Sequence, residues 1–119
     1  MSDRLKVIFA EDDEIINELY QIIIDDFKQE QKQLIGLFCF DGESAISVIK
    51  NNPDSLIFCD NALPGISGCG VFKEIVKKKM KIKDFYLVTG LVDEDVPPVK
   101  IIPKPFDFNE IKKIIEKNI

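Results

Sequence analysis

Short apolar runs alternate along the chain with apolar positions at helical spacing. Five runs have the length and branched composition of buried strands: 5–10, 34–40, 55–59, 84–88 and 99–102. Residues 14–28 have the first helical pattern, whose predicted inward face is Ile15, Ile16, Leu19, Ile22, Ile23 and Phe27. Strands that alternate with helices predict parallel pairing, and therefore a doubly wound α/β sheet of five strands.

Three more segments have helical spacing. A short helix over 43–50 would turn Ala45, Ile46 and Ile49 inward, and a helix after Gly68 would do so with Phe72, Ile75, Val76 and Met80. The last helix begins with Asp107 and Glu110 in capping-box spacing and would bury Phe108, Ile111, Ile114 and Ile115.

The connection between the fourth and fifth strands is short. It consists of Gly90 to Pro98, GLVDEDVPP, whereas a parallel crossover that contains a helix needs at least roughly 10–12 residues. Pro97 also disfavours helical geometry at Val96. We therefore expect the helix between these strands to be absent or reduced to a single turn near Val92 to Asp95.

Composition narrows the class of protein. The chain has 119 residues, enough for one domain over 1–119, and its net charge of −5 argues against a nucleic-acid groove. It has no histidine, which removes Ser-His and Cys-His nucleophile pairs and histidine-ligated zinc. Its three cysteines form no CxxC pair, and no signal peptide or membrane span is visible, so we expect a cytoplasmic protein with reduced thiols.

Charged and hydroxyl side chains follow the predicted strands, and ligands of open α/β sheets bind outside the carboxyl ends of the strands. In chain order these residues are Glu11, Asp12, Asp13, Asp60, Thr89 and Lys104. Taken singly, each has an ordinary interpretation, such as a helix N-cap or a turn residue. Their joint placement, at the ends of four strands, predicts a site.

Such a rim has a specific chemistry. Crowded carboxylates repel one another, and a hard divalent cation relieves that repulsion through oxygen ligands. Mg²⁺ also keeps open positions for phosphate oxygens. A carboxylate such as Asp60 can attack phosphorus to form an acyl phosphate, while Lys104 and a metal supply positive charge and Thr89 donates a hydrogen bond.

The motifs at these positions resemble the receiver domains of bacterial two-component response regulators, and the resemblance spans essentially the whole chain. They are AEDDEIINELYQIII, DGESAISVIK, SLIFCDNALPGISG, LVTG and KPF. The resemblance implies a flavodoxin-like (βα)5 fold with strand order 2-1-3-4-5. It also implies a cytoplasmic signalling phosphoacceptor, which catalyses only its own phosphorylation and dephosphorylation. Its expected partners are a histidine kinase or histidine phosphotransfer protein and a downstream effector, with no nucleic acid or membrane.

Roles for individual residues follow from the same resemblance. Asp60 would be the phosphoacceptor and a ligand of Mg²⁺, or of Mn²⁺ in its place. Asp12 would bind the metal directly, Glu11 through water, and Ala62 through its backbone carbonyl. Thr89 and Lys104 would contact the phosphoryl group. Asp13 would cap the first helix, and the Lys104–Pro105 peptide bond would be cis.

One residue departs from the family pattern. Receivers usually have an aromatic switch residue three positions before the lysine, where this chain has Ile101. An isoleucine cannot move a ring between buried and exposed positions. Together with the short connection before the fifth strand, it suggests that signalling uses another surface, such as the first helix.

Two alternatives remain open from the sequence. One is a pseudo-receiver, which keeps the fold as a binding module without taking phosphate. The other is a haloacid-dehalogenase-like phosphatase, although its general acid, an Asp two positions after the nucleophile, is here Ala62. Separately, residues 73–83 contain six lysines. The simpler interpretation is a solvated helix end, and the alternative is a docking patch for an acidic partner.

Overall fold

The structure, a computed structural model, describes residues 4–90 and 96–119. Its five strands form one parallel sheet in the order β2-β1-β3-β4-β5, which confirms the predicted fold class. The elements in chain order are β1 Leu5–Ala10, α1 Glu14–Gln29, β2 Leu34–Cys39, α2 Gly42–Asn51, β3 Leu56–Asp60, α3 Gly68–Lys77, β4 Asp84–Thr89, β5 Lys100–Pro103 and α4 Phe108–Asn118.

The sheet is covered by helices on both faces, which explains why its strands are apolar runs rather than alternating patterns. One core layer lies between the sheet and helices α1 and α4, and includes Phe9, Phe58 and Ile111. The other lies between the sheet and helices α2 and α3, and includes Ile57 and Leu87. Burying a side chain of this size stabilises the fold by about 1.5–3 kcal/mol.

Short polar side chains begin the four helices of the described residues. The N-caps are Asp13, Asp41, Ser67 and Asp107, and each accepts hydrogen bonds from backbone N–H groups of the first helical turn. The predicted cap at Asp107 is therefore confirmed. Its carboxylate accepts from the N–H of Asn109 at 2.8 Å.

Helices α1 and α3 end in the same way. Gln31 follows α1 with φ 62°, and Lys79 follows α3 with φ 51°. Beyond each of them, an N–H group reaches back to the last helical turn, from Lys32 to Phe27 O and from Met80 to Ile75 O, both at 3.0 Å. These left-handed caps satisfy carbonyl groups that the helices leave unpaired.

The predicted inward faces of α1 and α3 need correction. In α1 the buried residues are Tyr20, Ile23, Ile24 and Phe27, whereas Ile15 is 71% exposed and Ile22 49% exposed. The helix is rotated relative to the prediction because the Tyr20 ring stacks on Phe9, with ring centroids 4.3 Å apart. In α3 Val76 is exposed, and Met80 lies after the helix, which ends at Lys77.

The connection from β4 to β5 is described only at its two ends. Gly90 and residues 96–99 have no helical structure. The sequence predicts a loop here, or at most a single turn near Val92 to Asp95, and that stretch lies outside the described residues. Among the helices that are described, none has the length and apolar character that a membrane span requires.

Candidate functional site

Three carboxylates meet at the carboxyl ends of β1 and β3. The parallel register pairs Ala10 with Cys59, so the residues that follow them along the sheet edge are brought together. One oxygen of each of Glu11, Asp12 and Asp60 lies within 4.8 Å of the others. The structure therefore brings together the acidic residues that the sequence placed at this rim.

The backbone holds this rim firmly because the sheet's hydrogen bonds continue past the strand ends. The N–H of Glu11 donates to Cys39 O at 3.0 Å, and that of Lys104 donates to Thr89 O at 2.9 Å. The site residues are thus extensions of a rigid sheet rather than members of free loops.

Burial differs among the three carboxylates. Glu11 is 1% exposed and Asp60 5%, whereas Asp12 is exposed. The buried Glu11 accepts from the N–H of Asp13 at 3.1 Å and from the ammonium of Lys104 at 3.0 Å. Buried carboxylates need such partners because desolvation of an unpaired charge is costly.

Lys104 bridges the two buried carboxylates. Its Nζ lies 3.0 Å from Oε1 of Glu11 and 3.0 Å from Oδ1 of Asp60. The Lys104–Pro105 peptide bond is cis, as the family resemblance implies. Thr89 is buried at the end of β4 and pairs in register with Pro103 of β5, so its side chain belongs to the same rim.

The electrostatics of the bridge follow from burial and pairing. Burial raises the pKa of Glu11 above its ordinary value, and the negative charge of Asp60 adds to that effect against the opposing bond from Lys104. Burial acts to lower the pKa of Lys104. Its hydrogen bonds to Asp60 and Glu11 outweigh that effect, so the pKa of the lysine is raised.

Asp13 is placed apart from the cluster by its role in the helix. Its Oδ1 accepts from the N–H groups of Ile15 and Ile16 at 2.8 and 3.3 Å. This carboxylate is therefore engaged as the N-cap of α1, where the sequence prediction put it.

The loop after Asp60 is fixed by Asn61, which the sequence reasoning did not single out. Its N–H donates to Val88 O at 3.0 Å, its side-chain Oδ1 accepts from the N–H of Cys69 at 3.0 Å, and its carbonyl accepts from Gly68. An asparagine directly after a strand is a common turn residue, which was the available signal. Ala62, whose carbonyl the resemblance assigns to the metal, lies exposed in this loop.

Gly68 allows the loop to pass close behind the site. A Cβ at this position would lie 2.6 Å from Asp60 O and 2.9 Å from the Cα of Asn61. Only glycine fits there without a shift of the backbone that holds Asp60.

The donor set suits a hard divalent cation. Its side-chain ligands are carboxylate oxygens, which Mg²⁺ prefers, and the exposed position of Asp12 leaves one side open to solvent. Few protein ligands around an open position are typical of magnesium sites that also bind phosphate oxygens.

Comparisons with known proteins identify the fold. No family model matches the chain, and neither does any curated protein. Among solved structures, a CheY-like response regulator receiver domain from Methylobacillus flagellatus is 17% identical, with a TM-score of 0.77 over 97% of this chain and 98% of the other. A LuxR-family DNA-binding response regulator from Staphylococcus aureus is 24% identical, with a TM-score of 0.73 over 95% and 97%.

A third similar structure contains a metal. It is the receiver domain of a sensor histidine kinase from Pseudomonas aeruginosa, with a magnesium ion coordinated in its active site cleft. It is 14% identical, with a TM-score of 0.77 over 97% of both chains. Over nearly its whole length, the chain therefore has the fold of a response regulator receiver domain.

Proposed function

We propose that the chain, over residues 1–119, is a phosphoacceptor receiver domain of a two-component phosphorelay, which takes a phosphoryl group on Asp60. The observation that carries the proposal is the position of this carboxylate. It lies at a rigid strand end, within 3.0 Å of the Lys104 ammonium and in one cluster with Glu11 and Asp12.

The proposed reaction is a single phosphoryl transfer. A carboxylate oxygen of Asp60 forms a bond to phosphorus, and the bond from phosphorus to the histidine nitrogen of the donor breaks, with the electron pair leaving on that nitrogen. The product is an acyl phosphate. Positioning and charge stabilisation dominate such transfers.

Each neighbouring residue has a part in this step. The ammonium of Lys104 exchanges its contacts with the carboxylates for contacts with the phosphoryl oxygens. Thr89 donates a hydrogen bond to one phosphoryl oxygen. Asp12, Asp60 and the carbonyl of Ala62 would hold Mg²⁺ or Mn²⁺, with Glu11 acting through water. When bound, the metal supplies positive charge to the equatorial phosphoryl oxygens.

The phosphodonor is a histidine kinase or a histidine phosphotransfer protein, and α1 offers a surface beside the site. A cleft of about 370 Å³ is lined by Ile16, Leu19, Lys104, Pro105 and Phe106. The exposed Ile15 and Ile22 extend this apolar surface along the helix. Because the position of the usual aromatic switch is Ile101, we propose that α1 also takes part in signalling to the downstream effector.

The experiment is phosphorylation by acetyl phosphate followed by intact mass. With Mg²⁺ present, one phosphoryl group should be added, and chelation by EDTA should prevent it. If no phosphoryl group is added at any magnesium concentration, a pseudo-receiver that binds partners without phosphate is the better account. Catalytic hydrolysis of a phosphate monoester would instead favour the phosphatase alternative. That alternative requires a general acid two positions after the nucleophile, where this chain has Ala62.

A further inference from the structure

Positive charge is concentrated in α3 and in the connection from α3 to β4. Residues 73–83 contain six lysines and one acidic residue, Glu74, a balance of +5. The rest of the chain then has ten basic and twenty acidic residues (16 − 6 and 21 − 1), a balance of −10. All six lysines are exposed, and so is the neighbouring Lys50 of α2.

The helix dipole explains little of this concentration. A cation is stabilised by the dipole only within the last helical turn, and α3 ends at Lys77. Lys79, Lys81 and Lys83 lie beyond that end. Among the described residues, two of the six lysines form ion pairs: Lys78 with Glu74 at 2.9 Å, and Lys81 with Asp54 at 3.5 Å.

The backbone under these lysines is fixed in place. Met80 N–H bonds to Ile75 O at 3.0 Å, which closes the end of α3. Farther along, Asp54 N–H donates to Lys81 O at 3.1 Å, and Lys83 N–H donates to Ser55 O at 2.9 Å. A partner would therefore meet a surface that is already ordered, which lowers the entropic cost of binding.

An apolar cleft lies among the lysines. It has a volume of about 230 Å³, and its lining residues are Ile49, Pro53 and Met80 together with Lys50, Lys78 and Lys81. We call this set the α2–α3 cleft. It lies beside the beginnings of β3 and β4, whereas Asp60 and Thr89 end those strands, so an occupant would leave the phosphoacceptor rim uncovered.

We propose that the α2–α3 cleft is a docking site for an acidic segment of a protein partner that carries an aliphatic side chain. The lysines would pair with carboxylates, and the floor of Ile49, Pro53 and Met80 would receive the apolar side chain. A nucleic acid or an anionic membrane suits the surface less well. Neither offers a short apolar anchor, and the balance of −10 on the rest of the chain repels an extended polyanion.

The test uses a fluorescein-labelled glutamate-rich peptide with a single central leucine, and its binding is followed by fluorescence anisotropy at low salt. The triple variant Lys50→Gln, Lys78→Gln, Lys81→Gln should bind the peptide about tenfold more weakly. The matched control, Lys28→Gln, Lys32→Gln, Lys117→Gln, removes the same charge from exposed positions near α1 and α4. Its affinity should stay within about twofold of the parent.

Two further arms test the apolar contact and the independence of the site. A peptide with serine in place of leucine should bind several-fold more weakly. Asp60→Asn should leave binding of the original peptide unchanged, since the α2–α3 cleft lies beside the beginnings of β3 and β4 and Asp60 lies at the end of β3. An equal loss of peptide affinity in the two triple variants would overturn the proposal, as would the absence of peptide binding to the parent.

The choice of partner is tested separately. If a DNA duplex or phosphatidylglycerol vesicles bind more tightly than the peptide, that choice is overturned. The choice of partner would also be overturned if the parent protein self-associates and the triple variant at Lys50, Lys78 and Lys81 does not.

Discussion

The ammonium nitrogen of Lys104 lies 3.0 Å from Oδ1 of Asp60. Asp60 ends β3 and Lys104 follows β5, and β4 lies between these two strands in the sheet. The same nitrogen lies 3.0 Å from Oε1 of Glu11. One cation therefore pairs with two buried carboxylates, of Glu11 and Asp60. A phosphoryl group on Asp60 would bring new negative charge to this position. Lys104 could then pair with the phosphoryl oxygens in place of a carboxylate.

The first prediction concerns Lys104→Ala. The rate of phosphorylation by acetyl phosphate should fall by about 10²–10³-fold, because a positive charge aimed at the transferring group is lost. Magnesium affinity should not fall, because the substitution removes a cation that competes for Glu11 and Asp60. Lys100→Ala is the control, since that lysine pairs with Asp84 at the beginnings of β4 and β5, away from the rim. Normal phosphorylation of Lys104→Ala would make this lysine merely structural.

The second prediction separates Asp12 from Asp13. Asp12→Ala should weaken magnesium binding strongly, because Asp12 lies in the carboxylate cluster with Glu11 and Asp60. Asp13→Ala should instead lower the free energy of unfolding by about 1 kcal/mol, because the N-cap of α1 is lost. Magnesium titrations and urea unfolding of both variants provide the measurements. Equal losses of magnesium affinity would contradict the assignment.

The third prediction concerns pH and Glu11. The pKa of Glu11 in the folded protein is raised by burial above the ordinary value that it has in the unfolded chain. Its contribution to stability is therefore fully present below the unfolded pKa and is lost as pH rises through the folded pKa. Without magnesium, Glu11→Gln should gain stability relative to the parent as pH rises towards neutral. Urea unfolding at several pH values tests this, and a pH-independent difference would contradict it.

The fourth prediction concerns the end of α1. Gln31 adopts a φ of 62°, which favours glycine. Gln31→Gly should raise the free energy of unfolding by about 0.5–1 kcal/mol. The control Glu18→Gly, at an exposed position in the interior of the same helix, should lower it by about 1 kcal/mol. Thermal unfolding of both variants distinguishes the two effects, and destabilisation by Gln31→Gly would show that the left-handed cap is not strained.

Sequence reasoning succeeded where the signal is a periodic pattern or a strand end. It predicted the five strands, and it placed Glu11, Asp12, Asp60, Thr89 and Lys104 at one rim because the ends of parallel strands share an edge. The resemblance to receiver domains separated Asp13 from the metal ligands and assigned it to the cap of α1, and its carboxylate does accept from N–H groups of the first helical turn.

It failed where three-dimensional packing decides. The inward face of α1 was misjudged because Ile15 and Ile22 fit the helical period as well as Tyr20 and Ile24 do, and the stacking of Tyr20 on Phe9 selects among them. The role of Asn61 in fixing the loop was also missed. Its side chain bonds to the N–H of Cys69, and no sequence spacing reveals that contact.

Assignment of the phosphorylated residue is the most direct test of the account. Intact mass after incubation with acetyl phosphate and Mg²⁺ should show one added phosphoryl group on the parent, and base should remove it, as expected for an acyl phosphate. Asp60→Asn should show none, because an amide is no nucleophile for phosphorus. The exposed Asp54→Asn should label like the parent. Labelling of Asp60→Asn at the parental level would contradict the account.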